Sequence, residues 1–276
     1  MRVLLIEPDS ALADALDRAA VLEGVTLDRS SGEAEALGRL RRTAYDAVVT
    51  SPRTTLEHDL PLAEEMRWIR PGVKVILLAP EPTPEEVISA LRAHVFACFG
   101  MPLEVGELAD MIRRAVEAED WRDGIQVVSA QPDWVSVRVS CRVLTADRLV
   151  TFLSELRPDL ADEDRDDMLV AFREVLLNAM EHGGRFDPGQ VVEVSAVRTA
   201  RTQVFYVRDP GPGFARDRLE HAAVSNPPHD PTAHLERRAE LGLRPGGFGL
   251  LVARQVVDEM IYSELGNEVL LIKHTD

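Results

Sequence analysis

The stretch Glu174-Val175-Leu176-Leu177-Asn178-Ala179-Met180-Glu181-His182-Gly183 carries two patterns at once. Leu169, Phe172, Leu176 and Ala179 recur at helical spacing and supply an apolar face, while Glu174, Asn178 and His182 recur every fourth residue along a separate stripe. A carboxylate, a carboxamide and an imidazole aligned on one helix can serve as general base, metal ligand and phosphate-side hydrogen-bond partner. Taken alone, such a stripe is more often the solvated side of an amphipathic helix.

Two segments downstream give the stripe a context. The β-type run Phe205-Tyr206-Val207 leads into Asp209-Pro210-Gly211-Pro212-Gly213, where glycines let backbone approach a flat ligand and Asp209 can accept the exocyclic amino hydrogen of adenine. In isolation this segment reads equally as a Pro-Gly turn. Further on, Arg244-Pro245-Gly246-Gly247-Phe248-Gly249 opens an apolar helical pattern, so that backbone N–H groups can face phosphates. Helix caps and tight turns use the same residues. What distinguishes the three together is order: each lies on the element its chemistry needs, namely a helix, a strand-to-loop junction and a loop-to-helix junction.

With all three in place, residues 125–276 resemble the Bergerat-fold ATPases, the superfamily of histidine kinases, gyrase, Hsp90 and the anti-sigma-factor serine kinases. The match is closest to the last of these. Glu174 to Gly183 is similar to that superfamily's N-box, Asp209 to Gly213 to its first glycine box, Gly247 to Gly249 to its second, and Gly266 to Val269 to the closing hairpin of the serine kinases. The resemblance implies an α+β two-layer sandwich that binds ATP and Mg²⁺. It implies that Asn178 coordinates the metal, that Asp209 holds adenine, and that Glu174 polarises the hydroxyl of a protein serine or threonine. His182, Gly183, Gly211, Gly213, Arg244, Gly246, Gly247 and Gly249 complete the expected nucleotide site, with Arg244 near the γ-phosphate or the protein substrate. The segment between Phe214 and Gly246, rich in turn formers around Ser225 to Pro231, is the expected lid. His221, His229 and His234 in it lack tight ligand spacing and read as solvent-facing.

Residues 1–120 alternate short β-branched runs with helical patterns five times, from Val3–Ile6 through Val105–Ala118, which predicts an α/β doubly wound (βα)5 domain. This half, opening Arg2-Val-Leu-Leu-Ile-Glu-Pro-Asp9 and closing Phe99-Gly-Met-Pro-Leu103, resembles the receiver domain of response regulators. It departs from that family's chemistry. Ser51 stands where the phosphoryl-accepting Asp belongs, Pro8 replaces one acid of the metal-binding pair, Ala79 replaces a hydroxyl residue, and Met101 replaces the Lys before Pro102. A neutral hydroxyl is a poor nucleophile there. A pseudo-receiver is expected, serving as a docking, dimerising or regulatory module or as a scaffold. The boundary is expected near residues 119–126.

Composition bounds the partners. A net charge of -16 repels nucleic-acid phosphates and anionic lipid, and the densest basic group, Arg39, Arg41 and Arg42, ends a predicted helix where positive charge suits the dipole. Cys98 and Cys141 lack CxxC spacing and are expected to be buried reduced thiols; together with the lack of a signal-peptide core or a membrane-length apolar run, this predicts a cytoplasmic protein. The family resemblance implies a protein substrate such as an anti-anti-sigma factor, a sigma factor as a further partner, and compatibility with a homodimer. Two other functions stand beside the serine/threonine kinase: a histidine-kinase-like ATPase, which would need a dimerising helical hairpin before the ATPase fold, and a partner-switching module that binds ATP without phosphotransfer.

Overall fold

The computed structural model describes residues 1–8, 10–118, 124–156, 162–213 and 249–274. The chain divides into two compact units, Met1–Asp123 with Thr151–Leu156, and Gly124–Val150 with Arg157–Asp276.

The first unit is built on five parallel strands, β1 (Arg2–Ile6), β2 (Thr26–Ser30), β3 (Ala47–Val49), β4 (Lys74–Ala79) and β5 (Ala97–Gly100), in the order β2-β1-β3-β4-β5. β3 and β4 are buried along their whole length, because central strands of a doubly wound sheet have helices on both faces. The edge strand β2 is half-exposed, and its charged residues follow from that. Helices α1 (Ser10–Asp17), α2 (Glu33–Arg42), α3 (Leu56–Ile69), α4 (Pro84–Arg92) and α5 (Val105–Glu117) connect the strands. α2 has Glu33 and Glu35 in its first turn and Arg39, Arg41 and Arg42 at its end, each sign where the helix dipole favours it. α4 begins with a complete capping box between Thr83 and Glu86, with Pro84 in the first turn. The strand order is the receiver-like one, and it places the switch point, where α/β sheets hold ligands, at the carboxyl ends of β1 and β3.

Two expectations need correcting in detail. The apolar pattern around Leu62 to Ile69 predicts a helix there, but α3 starts earlier, at Leu56, because the Thr55 hydroxyl caps its first turn and Leu56 and Asp59 are buried, which offsets the interruption at Pro61. In the second unit, the apolar pattern after Gly249 predicts a helix over Leu250–Met260, but the helix stops at Val256 and the chain returns as a strand.

That unit is a six-stranded antiparallel sheet, β6 (Ile125–Gln131), β7 (Trp134–Ser140), β8 (Val191–Arg198), β9 (Thr202–Arg208), β10 (Glu259–Tyr262) and β11 (Glu268–His274), ordered β10-β11-β9-β8-β7-β6. Alternation sorts its faces. Val135, Val137 and Val139 of β7, Val192, Val194 and Ala196 of β8, and Phe205 and Val207 of β9 are all buried. The outer face carries a charged ladder, with Arg138 on Glu193 at 3.1 Å, Arg208 on Glu193 at 3.9 Å and Arg208 on Glu268 at 3.6 Å. The helical layer is α6 (Val143–Glu155), as far as Val150, with α7 (Asp162–Asn178) and α8 (Gly249–Val256). α7 lies on β9 and β11 and against α8. Phe172 of α7 stacks on Phe205 of β9 with ring centroids 4.3 Å apart, fixing helix to sheet. α8 ends where Lys273 Nζ donates to the Val256 carbonyl at 3.0 Å and Asp258 N donates to Ile272 O at 3.0 Å, a hand-over from helix to ladder.

Candidate nucleotide site

The site grows from the end of α7. The helix is regular as far as Asn178, and Ala179–Gly183 then form a π-helical turn. Such a turn adds a residue per bonded ring, so the chain winds more widely there than along the helix before it. Glu174 and Asn178 stay half-buried on the helix while His182 is exposed. His182 therefore falls on the widened turn, beyond the regular helix that carries Glu174 and Asn178.

The wider turn delivers Gly183 to the loop after β9. A Cβ at Gly183 would overlap the Asp209 carboxylate, and one at Gly211 would stand 2.8 Å from Asp209 Oδ1 and 2.8 Å from the Gly183 Cα. Only hydrogens fit on either side of this carboxylate. The next glycine is constrained by conformation as well as volume. Gly213 has φ +80, and a Cβ there would overlap the carbonyl of Leu265 in the turn between β10 and β11. Gly184, next along the π turn, is packed against the Cys141 thiol with no space for a side chain.

Asp209 is half-buried, and burial raises its carboxyl above the ordinary carboxylate range, while the Gly211 N–H, donating to Oδ1 at 2.7 Å, pulls the other way. Its own N–H donates to Asn267 O at 3.0 Å, which ties the strand end to the closing hairpin. Cys141 shares this neighbourhood. Burial first, then the charges of Asp187 and Asp209, push its thiol up to about 11. Both cysteines are free and buried, as their apolar sequence settings led us to expect.

Glu174 has a neighbour that sequence reading did not pick out. Arg173 Nε donates to Asp147 Oδ1 of α6 at 2.8 Å, and its Nη1 lies 3.8 Å from Glu174 Oε1. The guanidinium is thus anchored by one carboxylate beside another. Asp147 lies 26 residues upstream on another helix, and no local pattern connects the two.

Of the residues expected at a nucleotide site, Gly183, Asp209, Gly211 and Gly213 meet in one neighbourhood, and Glu174 and Asn178 lie on the helix that leads into it. Gly249 is the first residue of α8. Arg244, Gly246, Gly247 and the expected lid with His221, His229 and His234 lie outside the described residues. A cradle that a single Cβ would fill, with one carboxylate at its base, fits the edge of a flat heterocycle bearing an amino group.

A family model for the histidine kinase-like ATPase domain matches residues 142–273. The second unit is a histidine kinase-like ATPase domain. Over 129 residues the chain is 26% identical to the transcriptional regulatory protein GlrR of Escherichia coli K12, covering 45% of this chain, and the same figures hold for QseF of Escherichia coli O157:H7. The chain spans only 29% of the length of these two relatives. Among solved structures, it is similar to a CheY-like receiver domain from Methanospirillum hungatei, at 20% identity and TM-score 0.37 over 42% of this chain and 93% of that one. The HemR receiver domain of Leptospira biflexa matches at 19% identity and TM-score 0.39 over 44% and 98%. The first unit has the receiver-like strand order, and the family match lies in the second. No helix among the described residues is long and apolar enough to cross a membrane.

Proposed function

We propose that this chain is a cytoplasmic ATP-dependent protein serine/threonine kinase of the anti-sigma-factor type, docked or regulated through its pseudo-receiver. The observation that carries this reading is the apposition of Gly183, Asp209 and Gly211 at the end of the helix that bears Glu174 and Asn178. In this reading Asp209 accepts the adenine amino hydrogen, which positions the nucleotide along α7. Asn178 holds Mg²⁺ through its carboxamide oxygen. When bound, the ion neutralises charge on the phosphates. Glu174 accepts the proton of the attacking serine or threonine hydroxyl, and Arg173, fixed on Asp147, stands 3.8 Å from that carboxylate. The protein substrate we favour is an anti-anti-sigma factor, with a sigma factor as a further partner of the same surface.

The chain favours this over a histidine kinase for one reason. α5 ends at Glu117 and β6 begins at Ile125, which leaves too few residues between them for a helical hairpin carrying a phosphorylated His. The nature of the phosphorylated residue tests the proposal. The full chain and its Glu174→Gln variant, incubated with Mg-ATP and extract of the source cell, are expected to differ in acid-stable phosphoserine or phosphothreonine on a partner protein. Acid-labile phosphohistidine would make it a histidine kinase. Tight ATP binding with no transfer in either form would leave a nucleotide-gated binding module.

A further inference from the structure

The receiver-like unit has a constellation of chemistry of its own. Glu33 opens α2, and His58 and Asp59 lie in the first turn of α3. One ligand atom from each, a carboxylate oxygen, an imidazole nitrogen and a second carboxylate oxygen, lies within 4.8 Å of the other two. His58 Nε2 and Glu33 Oε1 are 2.6 Å apart. We propose that Glu33, His58 and Asp59 form a binding site for a divalent transition-metal ion, of which Zn²⁺ is the type.

Three features build the site. Asp59 is only 1% exposed, and its carboxylate accepts hydrogen bonds from the Thr54 hydroxyl at 2.9 Å and from Thr50. The Thr54 oxygen also lies 3.0 Å from the Ser51 carbonyl, and Thr50 Oγ1 accepts the Leu78 N–H at 3.0 Å, so the buried ligand is held by hydroxyls seated on β4 and on the loop after β3. This is the outer support that orients a ligating carboxylate. Glu33 and His58 are the adjustable pair. Their side chains are 41% and 55% exposed, so both can rotate to close a coordination sphere and leave water in the fourth position. Finally, the donor set is one nitrogen and two oxygens. Imidazole favours zinc and its neighbours, whereas Mg²⁺ asks for an octahedron of oxygens.

The amino ends of α2 and α3 oppose a cation through their dipoles. Two carboxylates outweigh two half-charges, but the balance rules against weakly held ions and leaves the selection to the nitrogen. The location is also informative. The receiver family's metal sits among acids at the ends of β1 and β3, where this chain has Pro8 and Ser51. Here the acids stand one layer out, on the helix starts, and an ion bound to them would clamp α2 to α3.

The test is calorimetry on the full chain, stripped with chelator and free of nucleotide, titrated with ZnCl₂ and separately with MgCl₂. His58→Gln and Glu33→Gln are the variants, and His274→Gln is a control on the other unit. One Zn²⁺ per chain is expected, with each of the two variants at least about tenfold weaker, the control unchanged and Mg²⁺ not bound at this site. Absence of Zn²⁺ binding, or binding that survives either variant undiminished, would overturn the proposal. Because the readout needs no ATP, its outcome is independent of the kinase reading.

Discussion

The two units treat their ligand-binding corners in opposite ways. In the receiver-like unit the sheet is intact, with β3 and β4 fully buried, yet the carboxyl ends of its strands offer Ser51, Ala79 and Met101 where phosphoryl chemistry would need an acid, a hydroxyl and a cation. In the ATPase domain the corner is crowded with backbone that tolerates no side chain beside Asp209. Fold and chemistry are thus separable: a doubly wound sheet is held by its apolar strands and keeps its form without its site, whereas the nucleotide corner is made of the same glycines that close the fold.

That contrast can be broken in several ways. The largest expected effect is on folding of the ATPase domain: Phe172→Ala removes the ring stacked on Phe205 and should cost about 3–5 kcal/mol, read from urea unfolding. A loss below about 1 kcal/mol would mean that α7 is not fixed to the sheet through this pair. Next, Asp209→Asn should weaken ATP binding by about 100-fold or more in calorimetry, since a site built to accept an amino hydrogen is then left with a donor facing it. Near-native affinity would remove Asp209 from the site. Gly213→Ala places a methyl group at positive φ against the Leu265 carbonyl and should cost roughly 1–3 kcal/mol.

A smaller effect concerns pH. The folded carboxyl of Asp209 titrates above its unfolded value because it is buried, so its contribution to stability is full below the unfolded value, near pH 4, and is lost as pH rises through the folded value. Asp209→Asn should therefore stabilise the nucleotide-free protein relative to the parent more at pH 7 than at pH 4. The gap should stay below about 1 kcal/mol, since the group is only half-buried and screened. A gap that narrows toward neutrality would reverse the sign. The smallest expected effect is none: acetyl phosphate should leave the mass of the chain unchanged, because Ser51 at the end of β3 is 3% exposed and no strand-end acid replaces the acceptor. A mass gain of one phosphoryl group would show that the receiver-like unit is chemically competent after all.

Much of this was readable from local chemistry. α2 ends at Arg42, where Arg39, Arg41 and Arg42 mark a helix end in the sequence itself, and its acids Glu33 and Glu35 stand in the first turn. The alternating runs Val191 to Val197 and Gln203 to Val207, read from the sequence as strands paired across Arg198 to Thr202, do form the hairpin of β8 and β9, and Asp209, Gly211 and Gly213 were legible because their constraint is local. Three features were hidden. β10 was taken into the preceding helix, because Glu259–Tyr262 is too short to show a period of its own and becomes a strand only by pairing with β11. The π turn at Ala179–Gly183 was invisible to a spacing argument that assumed a regular helix. The anchoring of Arg173 on Asp147 depends on how α6 and α7 lie together, which no linear pattern records.

The glycines around Asp209 also bear on how a mutational survey of this protein should be read. In a saturation screen for activity, positions 183, 211 and 213 would each accept one residue of twenty, and Glu174 would look much the same. A reader of that heat map would rank all four as chemistry. At the glycines the intolerance is a matter of volume, set by a carboxylate and a carbonyl already occupying the place, so a screen scored on abundance would separate them from Glu174, whose substitution would leave the protein folded and present.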